Sequence, residues 1–197
     1  MASLQDFLKT RLFLKHVTSG DPLEAKVDAS GSQVQITHQH SKVHQGVYYG
    51  VTHLFETVGN NSTADILIKC SASYENHAVI VIGNEGNCKL QVFETPDLGG
   101  NGTAIDIVNH NRSSANVSSS TAFHTPSLNS PFTYGASLFN GGLFLPGGTK
   151  DKGGGALSTA AGEQWVWAKS KNYLVRVTNI SGSAQNISID IAFYEVA

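Results

Sequence analysis

Apolar and polar residues alternate along the last third of the chain. Gln164-Trp165-Val166-Trp167-Ala168, Tyr173 to Asn179 and Asn186 to Glu195 alternate apolar and polar residues, with turn residues between them. A period of two is the pattern of strands with one buried and one wet face. The same reading predicts strands over Gln33–Thr37, Val47–Val58, Ala64–Ser71, His77–Ile82, Lys89–Glu94, Ala104–Val108, Thr121–Thr125 and Leu138–Leu145. Asp65 to Lys69 and Ala78 to Ile82 are dense enough in apolar residues to be central strands buried on both faces. Gly83 to Asn87 reads as a hairpin turn, its glycines and asparagines suited to positive φ. Many short strands at this spacing predict an all-β, jelly-roll-like β-sandwich over residues 33–197.

Residues 1–32 break the pattern. Leu4, Phe7, Leu8, Arg11, Leu12 and Leu14 loosely follow helical spacing, Ser3 is a candidate N-cap, and Gly20-Asp21-Pro22 ends the run. The segment reads as a short helix capping the sandwich or as an arm that docks on a neighbour.

Composition narrows the function. The chain of 197 residues is 40% hydrophobic, enough for a core, and only 14% charged, against roughly one quarter in an average soluble domain. The net charge of −2, with 13 basic residues spread along the chain, argues against nucleic acid as a partner, because phosphate neutralisation needs clustered Lys and Arg. No apolar run approaches the ~18 residues of a membrane span, and Phe7 to Val17 is too interrupted by Lys9, Arg11, Lys15 and His16 to serve as a signal peptide. Cys70 and Cys88 read as two buried, reduced thiols suited to a reducing cytoplasm.

Two stretches have no strand pattern. Asn109 to Ser120 is a polar loop with nothing to bury, and Gly141 to Gly155 carries seven glycines around Lys150, Asp151 and Lys152. Long loops of this kind usually carry function.

The chemistry-bearing residues form no complete constellation. His38, His40 and His44 fall within seven residues. On a strand His38 and His40 would share a face and could ligate one metal, as in a cupin. The glutamate that a cupin places after the second histidine is missing, and no histidine follows Pro146-Gly147. No Gly-x-Ser-x-Gly elbow is present, and acids such as Asp106 and Glu163 are scattered. Neither catalysis nor a cofactor is expected. Trp165 and Trp167 share a strand face, as core or interface anchors or as a platform for a sugar ring.

The order of short motifs resembles a known family. His44-Gln45-Gly46 precedes an aromatic strand, and Ile66 to Lys69 follows. Asn101-Gly102-Thr103-Ala104 leads to Asn109 to Ser114, then come Phe123-His124-Thr125-Pro126, a glycine-rich segment and the three alternating segments above. This order, over residues 34 to 197, resembles virion structural proteins of tailed bacteriophages, namely head decoration, or cement, proteins encoded beside the major capsid protein. The resemblance implies a jelly-roll homotrimer on the outer surface of the capsid, assembled in the host cytoplasm, with the major capsid protein as partner. Candidate capsid or subunit contacts are Leu4, Phe7, Leu8, Leu12 and Phe13 of the arm, Arg112, Lys150 and Lys152 of the loops, and Trp165 and Trp167. The alternatives are a tail-associated or receptor-binding module that recognises host glycan, and a cupin-like metal protein.

Overall fold

The computed structural model describes residues 38–131, 135–147 and 165–197 with their side chains, and the backbone of strands 13–15, 22–24 and 156–159. The chain divides into residues 1–41 and 42–197. In the first unit β1 (Phe13–Lys15) and β2 (Pro22–Glu24) form an antiparallel ribbon, with Leu14 opposite Leu23. The helical alternative is thus corrected at Phe13 to Lys15. Proline has no amide proton to donate and suits the end of a short edge strand, so Pro22 lets the chain return along β1. Leu4, Phe7, Leu8, Leu12 and the predicted strand Gln33–Thr37 lie outside the described residues, as does the side chain of Phe13.

His38 to His44 form a helix, α1, and not a strand. Its end explains why. Gly46 donates its N–H to the Val43 carbonyl and Val47 to that of Lys42, with Gly46 at φ +68°. This pair of bonds is a Schellman cap, which needs a left-handed residue and therefore favours glycine. A Cβ on Gly46 would also strike Ser114. Lys42 places positive charge at the negative end of the helix dipole.

From Tyr48 onward the described chain is strand and turn: β3 (Tyr48–Val58), β4 (Thr63–Lys69), β5 (Glu75–Asn84), β6 (Cys88–Glu94), β7 (Leu98–Gly100), β8 (Thr103–Ile105), β9 (Val108–Asn109), β10 (Thr121–His124), β11 (Ser127–Leu128), β12 (Ala136–Ser137), β13 (Leu143–Leu145), β14 (Ala156–Thr159), β15 (Trp165–Trp167), β16 (Asn172–Asn179) and β17 (Gln185–Val196). The pairings are antiparallel and build two large sheets. One runs β12-β6-β16-β4-β10-β8, with β13 also on β6; the other runs β14-β5-β17-β3-β9, with β15 also on β5. A small β7–β11 ribbon stands apart.

The alternation places one shared core between the sheets. Ile187, Ile189, Ile191 and Phe193 of β17 join Ala78, Ile80 and Ile82 of β5 on one side; Ile66, Ile68, Leu90, Val92, Val175 and Val177 face them on the other. The four β17 side chains are fully buried. A one-residue register slip would expose all of them, at about 1.5–3 kcal/mol each. The molecule is an all-β sandwich.

Three details depart from the expected strands. β4 is buried on both faces as expected, Leu67 and Asp65 being shielded as well as Ile66. β5 is not: buried residues alternate with half-buried ones throughout. The turn after β5 is not a hairpin, because β5 and β6 lie in different sheets. It is an arch, held by the Gly86 N–H donating to Gln185 Oε1 and by the Asn84 side-chain amide donating to the Gly86 and Pro146 carbonyls. Neither Gly83 nor Gly86 has positive φ. Finally, Ala104–Val108 and Leu138–Leu145 are each broken. In the second, Leu138 N–H donates to Val92 and Leu143 pairs with Leu90, so four residues loop outward, with Gly141 and Gly142 at φ +83° and +106°.

Cys70 and Cys88 are buried and unpaired. Burial, reinforced by the negative charge of Glu195 and Glu94, pushes the Cys70 thiol up to about 12. Burial pushes Cys88 up to about 11 against the opposing hydrogen bond from Gln185. Both are neutral, poorly nucleophilic thiols at pH 7.

Candidate functional site

The polar segment 109–120 is not a loose loop. It is wound on two buried anchors. Asn109 donates from its side-chain amide to the Gly46 and Asn116 carbonyls, and its Oδ1 accepts the Asn111 N–H. Asn111 reaches back to the His44 carbonyl, so the helix end, Gly46 and the loop form one clasp. The second anchor is Glu195, near the end of β17. Its Oε1 accepts the Ser118 hydroxyl at 2.7 Å and the N–H groups of Ser119 and Ser120 at 3.0 and 3.1 Å. Its Oε2 receives only the N–H and hydroxyl of Ser119, both at 3.3 Å. Asn76 holds Ser120 from below. The expectation that this loop has nothing to bury is corrected: Asn109, Ser120 and Glu195 are all buried. Its serines and asparagines are bonding groups for the backbone.

Between this loop and the sandwich lies a cleft of about 430 Å³, lined by Val47, Tyr49, Tyr74, Asn116, Val117 and Glu195 among others. The Tyr49 hydroxyl donates to the Val117 carbonyl across it. Burial, with the negative charge of Glu195 and the nearby Tyr74, raises the Tyr49 pKa. A smaller cavity of about 250 Å³ is lined by Asp106, Ile107, Ser118 and Phe123.

At the inner face of β3 a second feature appears that the sequence did not reveal. His53 stacks on His124 of the opposite sheet, with ring centroids 4.1 Å apart and planes 15° apart, and Phe55 meets His53 edge-on. Burial and then the neighbouring imidazole lower the His53 pKa. The groups share no sequence motif; only the inward parity of both strands joins them. Folded His53 therefore binds a proton less readily than the unfolded chain. Stability from this pair is present above pH 6.5, the ordinary value, and is lost as pH falls below it. We expect the urea midpoint to drop between pH 7.5 and pH 5. In His53→Phe the drop should shrink; an unchanged drop would remove the pair as its cause.

The two tryptophans take different places on the inner face of the β5 edge. Trp167 is 1% exposed and stacks on Tyr173 at 4.8 Å and 9°. Trp165 is half-buried against Phe139 at 5.4 Å. Trp167 is thus a core residue, and the contact role expected for it is corrected. β15, at the edge of the β5 sheet, turns its two tryptophans inward, and its outward residue is Val166, 55% exposed. Phe144 on β13, 57% exposed, points out from the corresponding edge of the other sheet. The Phe139–Trp165 contact shows that the two edges adjoin.

The remaining candidates do not converge. Arg112 is exposed and its guanidinium donates to the Asn109 carbonyl at 3.5 Å. Lys150, Lys152 and Glu163 lie outside the described residues. On α1, His38 and His40 are two residues apart and do not face each other. The shared-face metal pair read from a strand is corrected, since i and i+4, here His40 and His44, are the neighbours on a helix. Among the described residues no three His, Cys, Asp or Glu side chains group as a metal site. No family model, curated protein or solved structure matches the chain.

Proposed function

We propose that this protein is a non-enzymatic binding module that decorates the outer surface of a bacteriophage head and bridges major capsid protein subunits. The observation that carries the reading is the lateral edge of the sandwich, where Phe144 on the edge strand of one sheet and Val166 on the edge strand of the other are each more than half exposed. Large apolar side chains exposed on both edge strands suit a protein partner. The edge strands themselves are short and interrupted, a geometry that discourages open-ended strand pairing. Contact through side chains therefore fits better than added strands. Strand order supports the jelly-roll part of the proposal. The sequence β14/β15-β5-β17-β3 facing β12/β13-β6-β16-β4 is the order obtained when an antiparallel hairpin of eight strands is rolled up into two sheets. A rigid sandwich fixed at symmetry-related seams would add buried area between capsid subunits, several weak contacts acting together in a trimer.

The glycan-binding alternative loses its premise at Trp167, whose ring faces are covered by the core. The cupin alternative loses the shared histidine face on α1.

Co-sedimentation with heads stripped of the protein tests the reading. The native chain should bind in saturable, symmetric stoichiometry. Phe144→Asp with Val166→Asp should weaken binding by at least about tenfold, with little change in melting because both residues are exposed. Deletion of residues 2–20 should abolish binding if the arm is the second contact. Native binding by both variants, or absence of the chain from a cryo-EM map of the head, would overturn the assignment.

A further inference from the structure

The cleft beneath the 109–120 loop has the chemistry of a receptor for one ligand class. Its floor is a carboxylate, Glu195, that is 9% exposed and held rigid by Ser118, Ser119 and Ser120. The two oxygens are unequal. Oε1 takes short bonds from three serines, whereas Oε2 receives only two bonds of 3.3 Å, both from Ser119. No lining residue of the cleft is Lys, Arg or His. The buried carboxylate is held by hydrogen-bond donors of the serines, with no cationic side chain in the cleft lining, and a buried carboxylate of this kind favours a cation beside it. Its field is felt by its neighbours: besides burial, Glu195 raises the pKa of Tyr49 and of Cys70. The walls add shape. Val47 and Val117 offer apolar surface for an alkyl stem, and Tyr74 offers an aromatic ring of the sort that attracts ammonium groups. The volume of about 430 Å³ suits a slender side chain or a small amine.

We propose that this cleft binds a primary alkylammonium group, whose N–H donates to Glu195 Oε2 while its alkyl stem lies between Val47 and Val117. Such a group reaches the cleft either as a lysine side chain of a partner protein or as a free amine. A neutral sugar would find hydroxyl partners here too, yet it would leave the charge of Glu195 uncompensated. The site is independent of the capsid reading, because neither Phe144 nor Val166 lines it.

The test is an NMR titration of the full chain with n-butylammonium and with Nα-acetyl-lysine N-methylamide, against n-butanol and glucose. The ammonium probes should give saturable shifts at Tyr74, Val117 and Ser119, and n-butanol and glucose none. Glu195→Gln should weaken ammonium binding by at least about tenfold. Because that change could disturb the loop, Ala115→Phe serves as a second variant: it keeps Glu195 and fills the cleft from its exposed rim, and it should abolish the shifts. A lysine derivative that binds about tenfold tighter than butylammonium would identify a polypeptide as the source, and equal affinities a free amine. Saturable binding of n-butanol or glucose as strong as that of the amine, undiminished binding by Glu195→Gln, or no shift by either ammonium probe would each overturn the proposal.

Discussion

Arg176→Ala should cost about 3–5 kcal/mol of folding stability, because it breaks a buried ion pair. Arg176 and Asp65 stand directly opposite each other on β16 and β4. The guanidinium grips the carboxylate through two parallel bonds, Nε to Oδ1 and Nη2 to Oδ2, both 2.8 Å. Both side chains are about nine-tenths buried, on the outer face of their sheet, beside Leu67, Leu174 and Phe93, which are buried as well. Removing the arginine leaves a carboxylate in that environment with only the 3.3 Å bond from Thr63. That loss of compensation, more than the loss of attraction, sets the size of the effect. The corresponding Asp65→Ala should cost a similar amount. The double replacement Asp65→Leu with Arg176→Met should cost less than either single change, because no charge is left buried. Urea unfolding of the four proteins makes the comparison. Single-variant costs under 1 kcal/mol would mean that water reaches the pair.

Much of this architecture was legible in the alternation. Ile187, Ile189, Ile191 and Phe193 were placed correctly inward because a period of two has only one solution once one face must be dry. Periodicity says which residues face in, but not which sheet a strand joins. The turn at Glu85 to Asn87 looks like a hairpin from its glycines and asparagines. What makes it an arch is Gln185, 98 residues away from Asn87, whose amide group bonds both sides of the crossing. Similarly, His38 to His44 fits a strand by composition, and Gly46 was the local sign of a helix end. The loop 109–120 was read as empty because its partners, Gly46 and Glu195, lie 63 and 75 residues away. Side chains that bond the backbone carry no periodic signal. The His53–His124 stack and the cleft on Glu195 are of the same kind: each is assembled from distant segments, and no spacing announces it.

Trp167→Ala should destabilise the sandwich by about 3–5 kcal/mol, and its consequence for function should exceed its consequence for charge or solubility. The ring is 1% exposed and lies flat on Tyr173, which belongs to the opposite sheet. The Tyr173 hydroxyl in turn donates to Glu94 and accepts the Ala168 N–H, so the stack pins the end of β15 to β16 and β6. Alanine would open a cavity of nearly a whole indole and unpin that strand. Trp167→Phe should cost much less. It keeps the stacking face, and it removes an indole N–H that is buried without a hydrogen-bond partner, a group whose burial costs about 1–3 kcal/mol. Because β15 presents Val166 outward while Trp167 holds it inward, the two residues should act on head binding through one strand. Trp167→Ala should weaken binding at temperatures where the sandwich is still folded, while Trp167→Phe should bind as the native chain does. Equal binding by all three would separate the β15 edge from the proposed contact, and would leave Phe144 to carry it alone.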